Sequence, residues 1–565
     1  MPTTKTSSTP SAMPTPLHTV AYVHPNLYKD SVALMRVAQR LLALPGVVDA
    51  SLLMGNPANK DILAEAGLLN AGLQAAGPSD IMVVVQARSA AAAEAARLAS
   101  QAQLAGQGQT ESGAAGAAGA AQEAMPARTV AMGLAQHAAG AGVGPPGGQP
   151  AINLAQISVP GAYAAGEALK ALQAGLNVFM FSDNVPLAQE VALKQEATRR
   201  GLLVMGPDCG TAIIGGVPLG FANQVRRGPI GLVAASGTGL QEVTTQIHRM
   251  GGGISHAIGT GGRDVYAQVG GATLLQGITL LAQDPGTHVI VVVSKPPAPE
   301  VTHKVMQALQ LAGKPAVVLF LGSGRVAAPD ARSARGARGA PGARGAGSAA
   351  AAPALRVVHT LVDAAAAALQ LAGIRRQATG HYAMPRAPRF AKSQVHLRAL
   401  YSGGTYAAEA QVLWRSSCLQ VWSNAPLDPA LALPNPKRAS RGHSALDLGD
   451  DDFTVGRPHP MIDASARIER LHLEAADPSV RVILLDVVIG WGAHADPAAE
   501  LGAAVQQAKR TAAKAGRALA VIGFVCGTED DPQRLSAQEA QLRHAGMVLA
   551  GNSANAAWLA ARWLR

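Results

Sequence analysis

The chain of 565 residues is long enough for three or four domains of ordinary size. Its hydrophobic fraction of 48% comes largely from alanine, aromatic residues make up only 3%, and no apolar run reaches the roughly 18 residues of a membrane span. The formal net charge of +11 arises partly from residues 331–347, which carry four arginines and no acid, so the charge alone does not predict nucleic-acid binding.

The N-terminal tail and the cysteines exclude two further classes of protein. Residues 1–17 are predicted to be a disordered tail, rich in Ser, Thr and Pro and without the apolar core of a signal peptide. Cys209, Cys418 and Cys526 lie far apart without CxxC spacing, which predicts neither a disulfide framework nor a zinc site. We expect a cytoplasmic protein with no resident metal, no membrane association and no nucleic-acid partner.

Short apolar runs alternate with helical sequence from the start of the ordered chain. The N-terminal α/β segment covers residues 18–105, and a low-complexity insert with one predicted helix (127–136) covers residues 106–149. A second α/β segment covers residues 150–228. The predicted strands of the two segments lie at residues 20–23, 47–54, 80–87, 154–159, 177–182 and 201–206. Apolar strands separated by helices are typical of a parallel sheet that is covered on both faces.

A long internal repeat occupies the rest of the chain. Residues 229–326 and residues 395–565 share one order of elements: a strand with a Gly/Ser turn, a strand with a Gly/Asp turn, a helix with an Asp-Pro break, a strand, a helix and a strand. A flexible linker at residues 327–353 and a helix with a connector at residues 354–394 separate the two copies. The sequence therefore predicts two homologous domains of the flavodoxin type, whose ligands bind beyond the carboxyl ends of the strands.

Several uncommon segments resemble those of ADP-forming acyl-CoA synthetases, of which succinyl-CoA synthetase is the best-known member. They are "GPDCGTAII" (206–214) and "GPIGLVAASGTGLQE" (228–242). The first repeat is similar to the second domain of the synthetase α subunit, and the second repeat is similar to the C-terminal domain of the β subunit. The segments "LGDDDFTVGRPHPMID" (448–463) and "VCGTEDDPQ" (525–533) are closer still to the FdrA family.

The resemblance implies the architecture and a partner. It implies an α/β fold in which a Rossmann-like CoA-binding domain at residues 150–228 precedes the two flavodoxin-like, parallel-sheet domains, with disordered Ala/Gly/Arg-rich linkers between them. It also implies a homo-oligomer or a hetero-oligomer with a partner subunit, a small carboxylate or phosphate substrate, and CoA or another phosphate-containing ligand. Phe181, Ser182 and Asp183 match the CoA-contacting loop of the synthetases.

Two helix starts at equivalent repeat positions are predicted to bind phosphate or another anion, because unpaired N–H groups and the helix dipole attract negative charge. They consist of Ser236, Gly237 and Thr238 in the first repeat and Ser402, Gly403, Gly404 and Thr405 in the second. The alternative is that each Ser/Thr and Gly turn only caps an ordinary helix.

Further candidates lie in the polar loops. Arg457 offers a planar fork to a carboxylate or phosphate. The aspartates at 450–452 would suit Mg²⁺, with an acidic turn that caps a helix as the alternative. The remaining candidates are Asp208, Cys209, His459, Cys526, Gly527 and Thr528. A cysteine nucleophile is the less favoured interpretation for Cys209 and Cys526, because no histidine lies close in sequence.

Departures from the synthetases limit the chemistry. The synthetases relay phosphate through a histidine in a loop that corresponds here to the sequence after residues 316–324, where the Arg/Gly/Ala linker begins and no histidine stands. Ser294 and Lys295 stand where the synthetases carry the glutamate that orients that histidine. No ATP-grasp domain precedes the second repeat. We therefore expect no catalytic phosphohistidine in this chain.

Three hypotheses follow for the function. The first is an FdrA-type protein related to succinyl-CoA ligase that acts in acyl or phosphoryl transfer. The second is a carbamoyltransferase subunit of ureide (allantoin) catabolism, acting on oxalurate, oxamate and phosphate, which needs neither ATP nor a phosphoenzyme. The third is a non-catalytic regulatory partner that retains the fold.

Overall fold

The computed structural model describes residues 17–27, 29, 31–106, 127, 129–140, 152–323, 353–380, 382, 385–417, 419–454 and 457–564. Contacts divide the chain into two compact units, Met1–Met125 and Pro126–Arg565. The predicted tail at residues 1–17 and the linker at residues 327–353 lie almost entirely outside the described residues. No helix in the described ranges has the length and apolar character to cross a membrane.

The first unit contains a three-stranded antiparallel sheet, so the prediction of a parallel sheet is wrong here. Its strands and helices are β1 (His18–His24), α1 (Ser31–Leu42), β2 (Val47–Met54), α2 (Pro57–Glu65), α3 (Ala71–Gln74), β3 (Ile81–Ala87) and α4 (Ala90–Gly106). The strand order is β1-β3-β2, and β3 runs antiparallel to both neighbours. Its alternate side chains enter two different apolar cores. Burial on both faces makes β3 continuously apolar, which is the pattern of a parallel strand.

The second unit begins with the helix predicted inside the insert and a small parallel sheet. These elements are α5 (Val130–Gly140), β4 (Leu154–Ile157), α6 (Gly161–Gln173), β5 (Asn177–Met180), α7 (Leu187–Arg200) and β6 (Val204–Met205). The strand order is β4-β5-β6 with parallel pairing throughout, as the sequence predicts. The strands are shorter than the predicted runs because their ends become the loops at residues 181–186 and 205–212.

The first repeat forms a seven-stranded sheet. Its elements are β7 (Thr211–Ile214), β8 (Val217–Gly220), β9 (Arg227–Ala234), α8 (Gly237–Arg249), β10 (Ile254–Gly259), α9 (Ala272–Gln283), β11 (Val289–Ser294), α10 (Pro299–Leu311), β12 (Ala316–Phe320), β13 (Leu355–Val357) and α11 (Leu361–Leu371). The order is β13-β12-β11-β9-β10-β7-β8, in which the hairpin β7–β8 is antiparallel and lies beside a parallel set of five strands.

The second repeat forms a six-stranded parallel sheet. Its elements are β14 (His396–Tyr401), α12 (Gly404–Ser416), β15 (Val421–Trp422), β16 (His443–Asp447), α13 (Asp451–Thr454), α14 (Ser465–Ala476), β17 (Val480–Val488), α15 (Pro497–Lys514), β18 (Ala520–Cys526), α16 (Leu535–His544), β19 (Val548–Leu549) and α17 (Ser553–Arg562). The order is β15-β16-β14-β17-β18-β19.

The two sheets contain the same five-stranded core. The order β10-β9-β11-β12-β13 in the first repeat corresponds strand by strand to β16-β14-β17-β18-β19 in the second. Counted in sequence, both are 2-1-3-4-5, the flavodoxin-like order in which ligands bind where the strand order reverses. The predicted internal repeat and its flavodoxin type are therefore confirmed, and α8 and α12 follow the first strand of each copy.

A buried ion cluster fixes the small sheet against the first repeat. Lys194 of α7 is 2% exposed, and its ammonium donates to Glu190 at 2.9 Å, to the Thr260 carbonyl at 3.0 Å and to Asp264 at 2.8 Å. The Arg263 guanidinium forms an ion pair with the second oxygen of Glu190 at 2.9 Å, without the geometry of a hydrogen bond. Two carboxylates are thus neutralised by two cations, which holds the loops beyond β5 and β6 at the edge of the larger sheet.

Replacement of Lys194 by Met is expected to lower the free energy of unfolding by about 3–5 kcal/mol, because Asp264 and Glu190 would remain buried without this cation. Urea unfolding followed by circular dichroism measures the change. The matched control is Lys170→Met, which removes a pair with Glu167 at 2.7 Å whose lysine is 65% exposed, and a change below about 1 kcal/mol is expected. Equal effects of the two variants would contradict this account.

Candidate functional site

Two helix N-termini meet where the two repeats pack together. The strand β9 ends at Ala234 and α8 begins at Gly237, while β14 ends at Tyr401 and α12 begins at Gly404. The hydroxyl of Ser236 accepts a hydrogen bond from the Gly239 amide at 3.0 Å and contacts the hydroxyl of Thr405 in the other repeat. The two sets of anion-binding residues predicted from the sequence therefore lie side by side.

Glycine permits this close approach. A β-carbon on Gly403 would lie 2.7 Å from the hydroxyl of Thr238, and one on Gly239 would lie 3.1 Å from the methyl group of Thr405. Larger residues at either position would push the helices apart. The first N–H groups of an α-helix have no carbonyl partner within the helix. The close approach of α8 and α12 directs these groups of both helices toward one region.

Ser402 holds the turn of the second repeat rather than facing the space between the helices. Its amide donates to Asp486 at 2.9 Å and its hydroxyl contacts the other oxygen of the same carboxylate. Arg467 in turn donates to Asp486 at 2.9 Å. All three residues are at most 2% exposed, so this network fixes the start of α12.

His459 enters the site as a neutral donor. Its Nδ1 accepts from the Met461 amide at 3.3 Å, so the proton of the neutral ring lies on Nε2. A β-carbon on Gly449 would lie 2.8 Å from this Nε2 and 2.6 Å from the Ser402 carbonyl oxygen, which places the ring beside the start of α12. Burial, with a contribution from Arg467, lowers the pKa of His459 to about 4.

His459 is therefore expected to remain neutral and protonated on Nε2 at pH 6, where an ordinary histidine is largely charged. Nitrogen-15 NMR of histidine-labelled protein distinguishes the two tautomers and the charged form, and the His459→Gln variant identifies the signal. A His459 signal that titrates near 6.5 would contradict the proposed hydrogen bond and its burial.

The predicted CoA loop packs against the turn that contains Asp208. The ring of Phe181 lies 5.3 Å from that of Phe221, which lies 5.4 Å from the ring of His459. Ser182 is buried and its hydroxyl donates to the Val159 carbonyl at 2.5 Å, whereas Asp183 is exposed. The aromatic rings thus connect this loop with the second repeat, and contact with CoA stays a prediction.

Asp208 is exposed on the turn between β6 and β7. Its backbone has a φ of 53°, unusual for a residue other than glycine, and its amide donates to the Ser182 carbonyl at 2.9 Å. The side chain is exposed to solvent, yet the protein around it raises its pKa to about 7, aided by the charges of Asp183, Asp451 and Asp447 and opposed by Arg263. An acidic residue with an unusual backbone conformation and a raised pKa is a feature that functional sites share.

The two described cysteines are buried. Burial raises the pKa of the Cys209 thiol to about 12 and that of Cys526 well above its usual value. Neither therefore has the properties of a thiolate nucleophile.

Thr528, beside Gly527, holds the two repeats together. Its hydroxyl donates to the Gln224 carbonyl at 2.7 Å, and its amide donates to Asp531 at 2.7 Å. Asp531 also accepts from the side chain of Asn223 at 2.9 Å and from the Gln224 amide at 2.7 Å. The segment "VCGTEDDPQ" thus has a structural role that its sequence alone does not reveal.

Arg457 and the aspartates at 450–452 have partners within the chain. Arg457 donates to Glu469 at 2.7 Å and is 51% exposed, so the anion beside it in this structure is an internal carboxylate. The Asp450 carbonyl accepts from Phe453 at 2.9 Å and from Thr454 at 3.1 Å, as in a turn that begins a short helix. Across the described ranges, no three His, Cys, Asp or Glu residues converge as metal ligands would.

A buried pair of carboxyl groups lies further along the same two helices, at equivalent repeat positions. Glu242 of α8 and Glu409 of α12 are at most 1% exposed, and Ser553 of α17 bridges them, with its amide 3.4 Å from Glu242 and its hydroxyl in contact with Glu409. Burial raises the pKa of each carboxyl group to about 7. The polar residues of "GTGLQE" were interpreted only as the start of a helix, so this pair of carboxyl groups was not predicted from the sequence.

The pair makes the packing of the repeats dependent on pH. Because each folded-state pKa exceeds the ordinary value of 4.5 for a glutamate, the stabilisation is complete below pH 4.5 and is lost as the pH rises to about 7. Glu242→Gln and Glu409→Gln are each expected to raise the free energy of unfolding at pH 8 by about 1–3 kcal/mol and to change it little at pH 5.

Thermal unfolding at both pH values, compared with wild type, measures this difference. The control is Glu300→Gln, at an exposed carboxylate of α10, which should show no such dependence. A variant of the pair that is equally stabilised or destabilised at pH 5 and pH 8 would contradict the assignment of protonated carboxyl groups.

The fold and the site together define an α/β protein of the CoA-ligase type. The CoA-ligase family model matches residues 400–563, and the model of the CoA binding domain matches residues 226–322. The latter match covers the first repeat and not the segment at residues 150–228 that the resemblance assigns to CoA. A third model, described as the heavy metal-associated domain of AllF, matches residues 17–122.

The chain belongs to the FdrA family, as its similarity to one relative over nearly its whole length shows. It is 39% identical to the uncharacterized protein YahF of Escherichia coli (strain K12) over 96% of this chain and 98% of that protein. It is also 30% identical to the succinate–CoA ligase [ADP-forming] subunit alpha of Aquifex aeolicus, over 25% of this chain and 48% of that subunit. The sulfoacetate-CoA ligase subunit SauD of Bilophila wadsworthia is 27% identical over 25% of this chain and 50% of that subunit.

The description of the N-terminal match implies a heavy metal, and the donor atoms do not fit one. Residues 17–122 contain no cysteine, since the three cysteines of the chain are Cys209, Cys418 and Cys526. Soft thiolates are the ligands that such metals prefer. The match therefore supports a relationship in fold, and we assign no metal to this unit.

Proposed function

We propose that the paired starts of α8 and α12 bind the phosphate or phosphoryl group of a substrate, and that the protein acts there in acyl or phosphoryl transfer with CoA or a phosphorylated ligand. The observation that carries the proposal is the contact between Ser236 and Thr405, which brings two helix N-termini to one point. Two partial positive charges and several free N–H groups there favour an anion. The relationship to CoA ligases supports CoA as a ligand.

The transfer would proceed without a phosphoenzyme. The sequence after β12 contains no histidine before His359, and Lys295 occupies the end of β11. His459, the histidine beside the start of α12, is held neutral by burial and uses Nδ1 to accept a backbone hydrogen bond. Catalysis would then consist of positioning the substrates and stabilising charge with the helix N-termini and the Nε2–H of His459.

Carbamoyl transfer is the second candidate. In this reaction the C–N bond between the carbamoyl carbon of oxalurate and its imide nitrogen breaks, a phosphate oxygen bonds to that carbon, and the nitrogen leaves with a proton as oxamate. The absence of the relay histidine favours this reaction over ATP-driven thioester formation. Asp208, whose pKa is raised to about 7, is our candidate for the donor of that proton.

We also propose that the protein works as an oligomer, with copies of itself or with a partner subunit. The matched sulfoacetate and succinate ligase chains are both named as subunits. Size-exclusion chromatography with light scattering, performed with and without candidate partner subunits, tests this. If neither the protein alone nor its complex with a partner subunit turns over substrate, a regulatory role without catalytic activity is supported.

The central experiment is calorimetric titration of the full chain with phosphate, carbamoyl phosphate and CoA, followed by assays of each reaction. Ser236→Ala combined with Thr405→Val is expected to weaken phosphate binding at least about tenfold, because hydrogen bonds to a charged group contribute about 1.5–3 kcal/mol each. Ser416→Ala, at the other end of α12, is the matched control.

Formation of carbamoyl phosphate or an acyl phosphate from inorganic phosphate would support transfer without a relay. ATP-dependent thioester formation with a radiolabelled phosphoprotein would contradict it. If wild type binds none of the three ligands, the anion site itself is wrong and the regulatory alternative gains support.

A further inference from the structure

Lys295 reaches across the boundary between the repeats. It follows β11 of the first repeat directly, yet its ammonium lies beside the first turn of α12 in the second. A β-carbon on Gly404 would lie 2.5 Å from Nζ and 3.1 Å from Cε of Lys295. A larger residue at the start of α12 would require the ends of the Lys295 and Asp447 side chains to move.

The strand that precedes this lysine ends beside the start of α8. The Ala235 amide donates to the Val293 carbonyl at 3.1 Å, and a β-carbon on Gly239 would lie 3.1 Å from the side chain of Val293. Val293 is separated from Lys295 by one residue, so β11 ends between the two helix starts. The ammonium is therefore the third positive group at this point.

This position brings a cation close to two partial positive charges. Each helix N-terminus carries roughly half a positive charge, and a cation there is repelled. Lys295 is exposed, and no carboxylate of the described residues lies within 4.0 Å of it as an ion pair. Lys194, in contrast, is buried with a carboxylate at 2.8 Å and a second at 2.9 Å.

Asp447 and Asp450 are the acidic neighbours of this point. A β-carbon on Gly404 would lie 2.5 Å from Oδ2 of Asp447, and Oδ1 of Asp447 accepts a hydrogen bond from the Gly449 amide at 3.0 Å. Burial raises the pKa of Asp447 to about 6 and also raises the pKa of Asp450, and the charge of Lys295 opposes both rises. One ammonium and two helix N-termini thus meet two carboxyl groups whose burial disfavours their charged form.

We propose that Lys295 is the cationic ligand of a phosphate-sized dianion held between the starts of α8 and α12, so that this anion is bound as a substrate and not carried as a phosphoenzyme. The inference rests on the proposed function and adds to it the ligand class and the residue that selects it. The convergence of an ammonium with two helix N-termini favours a dianion with several oxygen atoms, such as phosphate, an acyl phosphate or a phosphate monoester, over a monocarboxylate.

Titration of the full chain with inorganic phosphate and with sulfate at pH 8 and low salt tests the role of Lys295. Sulfate is included because its charge does not change with pH. Lys295→Met, which keeps the aliphatic stem, is expected to weaken the binding of both anions at least about tenfold, and Lys295→Arg is expected to stay within about threefold of wild type. Lys304→Met, at an exposed lysine of α10, is the matched control and should bind as wild type does.

Asp447→Asn is expected to strengthen anion binding, in contrast to Lys295→Met. Asn retains an oxygen for the Gly449 amide and removes the opposing charge, so sulfate should bind at least about threefold more tightly. Acetate is expected to bind at least about tenfold more weakly than sulfate to wild type. Melting temperatures of all variants show whether a loss of affinity comes with a loss of fold.

The outcomes separate the two proposals. If wild type binds neither phosphate nor sulfate, the anion site of the proposed function is absent. A second outcome separates them further: wild type binds both anions, the Ser236 and Thr405 variant binds them more weakly, and folded Lys295→Met binds them as wild type does. In that case the anion site stands and the role of Lys295 is overturned. If Lys295→Met unfolds, Asp447→Asn decides the question. Weaker sulfate binding by folded Asp447→Asn would overturn the role of charge at this site, and tighter sulfate binding would support it.

Discussion

The approach of two helix N-termini is the constraint on which the second unit depends. Helix starts repel one another through their dipoles, and four small residues allow the contact: Ser236 and Gly239 on one side, Gly403 and Thr405 on the other. The surrounding structure then stabilises an arrangement that is unfavourable in isolation. Asp486 and Arg467 fix the turn before α12, and Thr528 and Asp531 hold the segment at residues 223–224 against the second repeat.

The sequence predicted the repeat well because both copies carry the same succession of strands and turns. The strand order 2-1-3-4-5 in both sheets confirms this, and so does the adjacency of the two Ser/Gly/Thr turns. The parallel arrangement failed in the first unit for a physical reason. The central strand β3 has helices on both faces, so Met82 and Val83 are both buried in an antiparallel sheet.

The candidate site was only half predictable, since local motifs reveal helix starts but not the side chains that reach them from elsewhere. Asp447 ends β16 and Lys295 directly follows β11, and each has an ordinary local sequence. The pairing of β16 with β14 brings Asp447 to Gly404, whereas only the packing of the two repeats brings Lys295 there. Thr528 illustrates the reverse case, in which a distinctive segment suggested chemistry and the structure gives it a role in joining the repeats.

The absence of a relay histidine, together with the presence of Lys295, would change what such a site can do. Histidine alternates between nucleophile and cation near neutral pH, whereas a lysine beside a bound dianion stays protonated and has no lone pair to attack phosphorus. The same paired helix starts that would stabilise a phosphoenzyme would then hold free phosphate or an acyl phosphate. A neutral His459 fits this chemistry, because its Nε2–H can donate to a substrate carbonyl or phosphoryl oxygen without changing the charge of the site. On this reasoning the energy for transfer comes from the group that the substrate already carries, and no ATP-binding domain is required beside the second repeat.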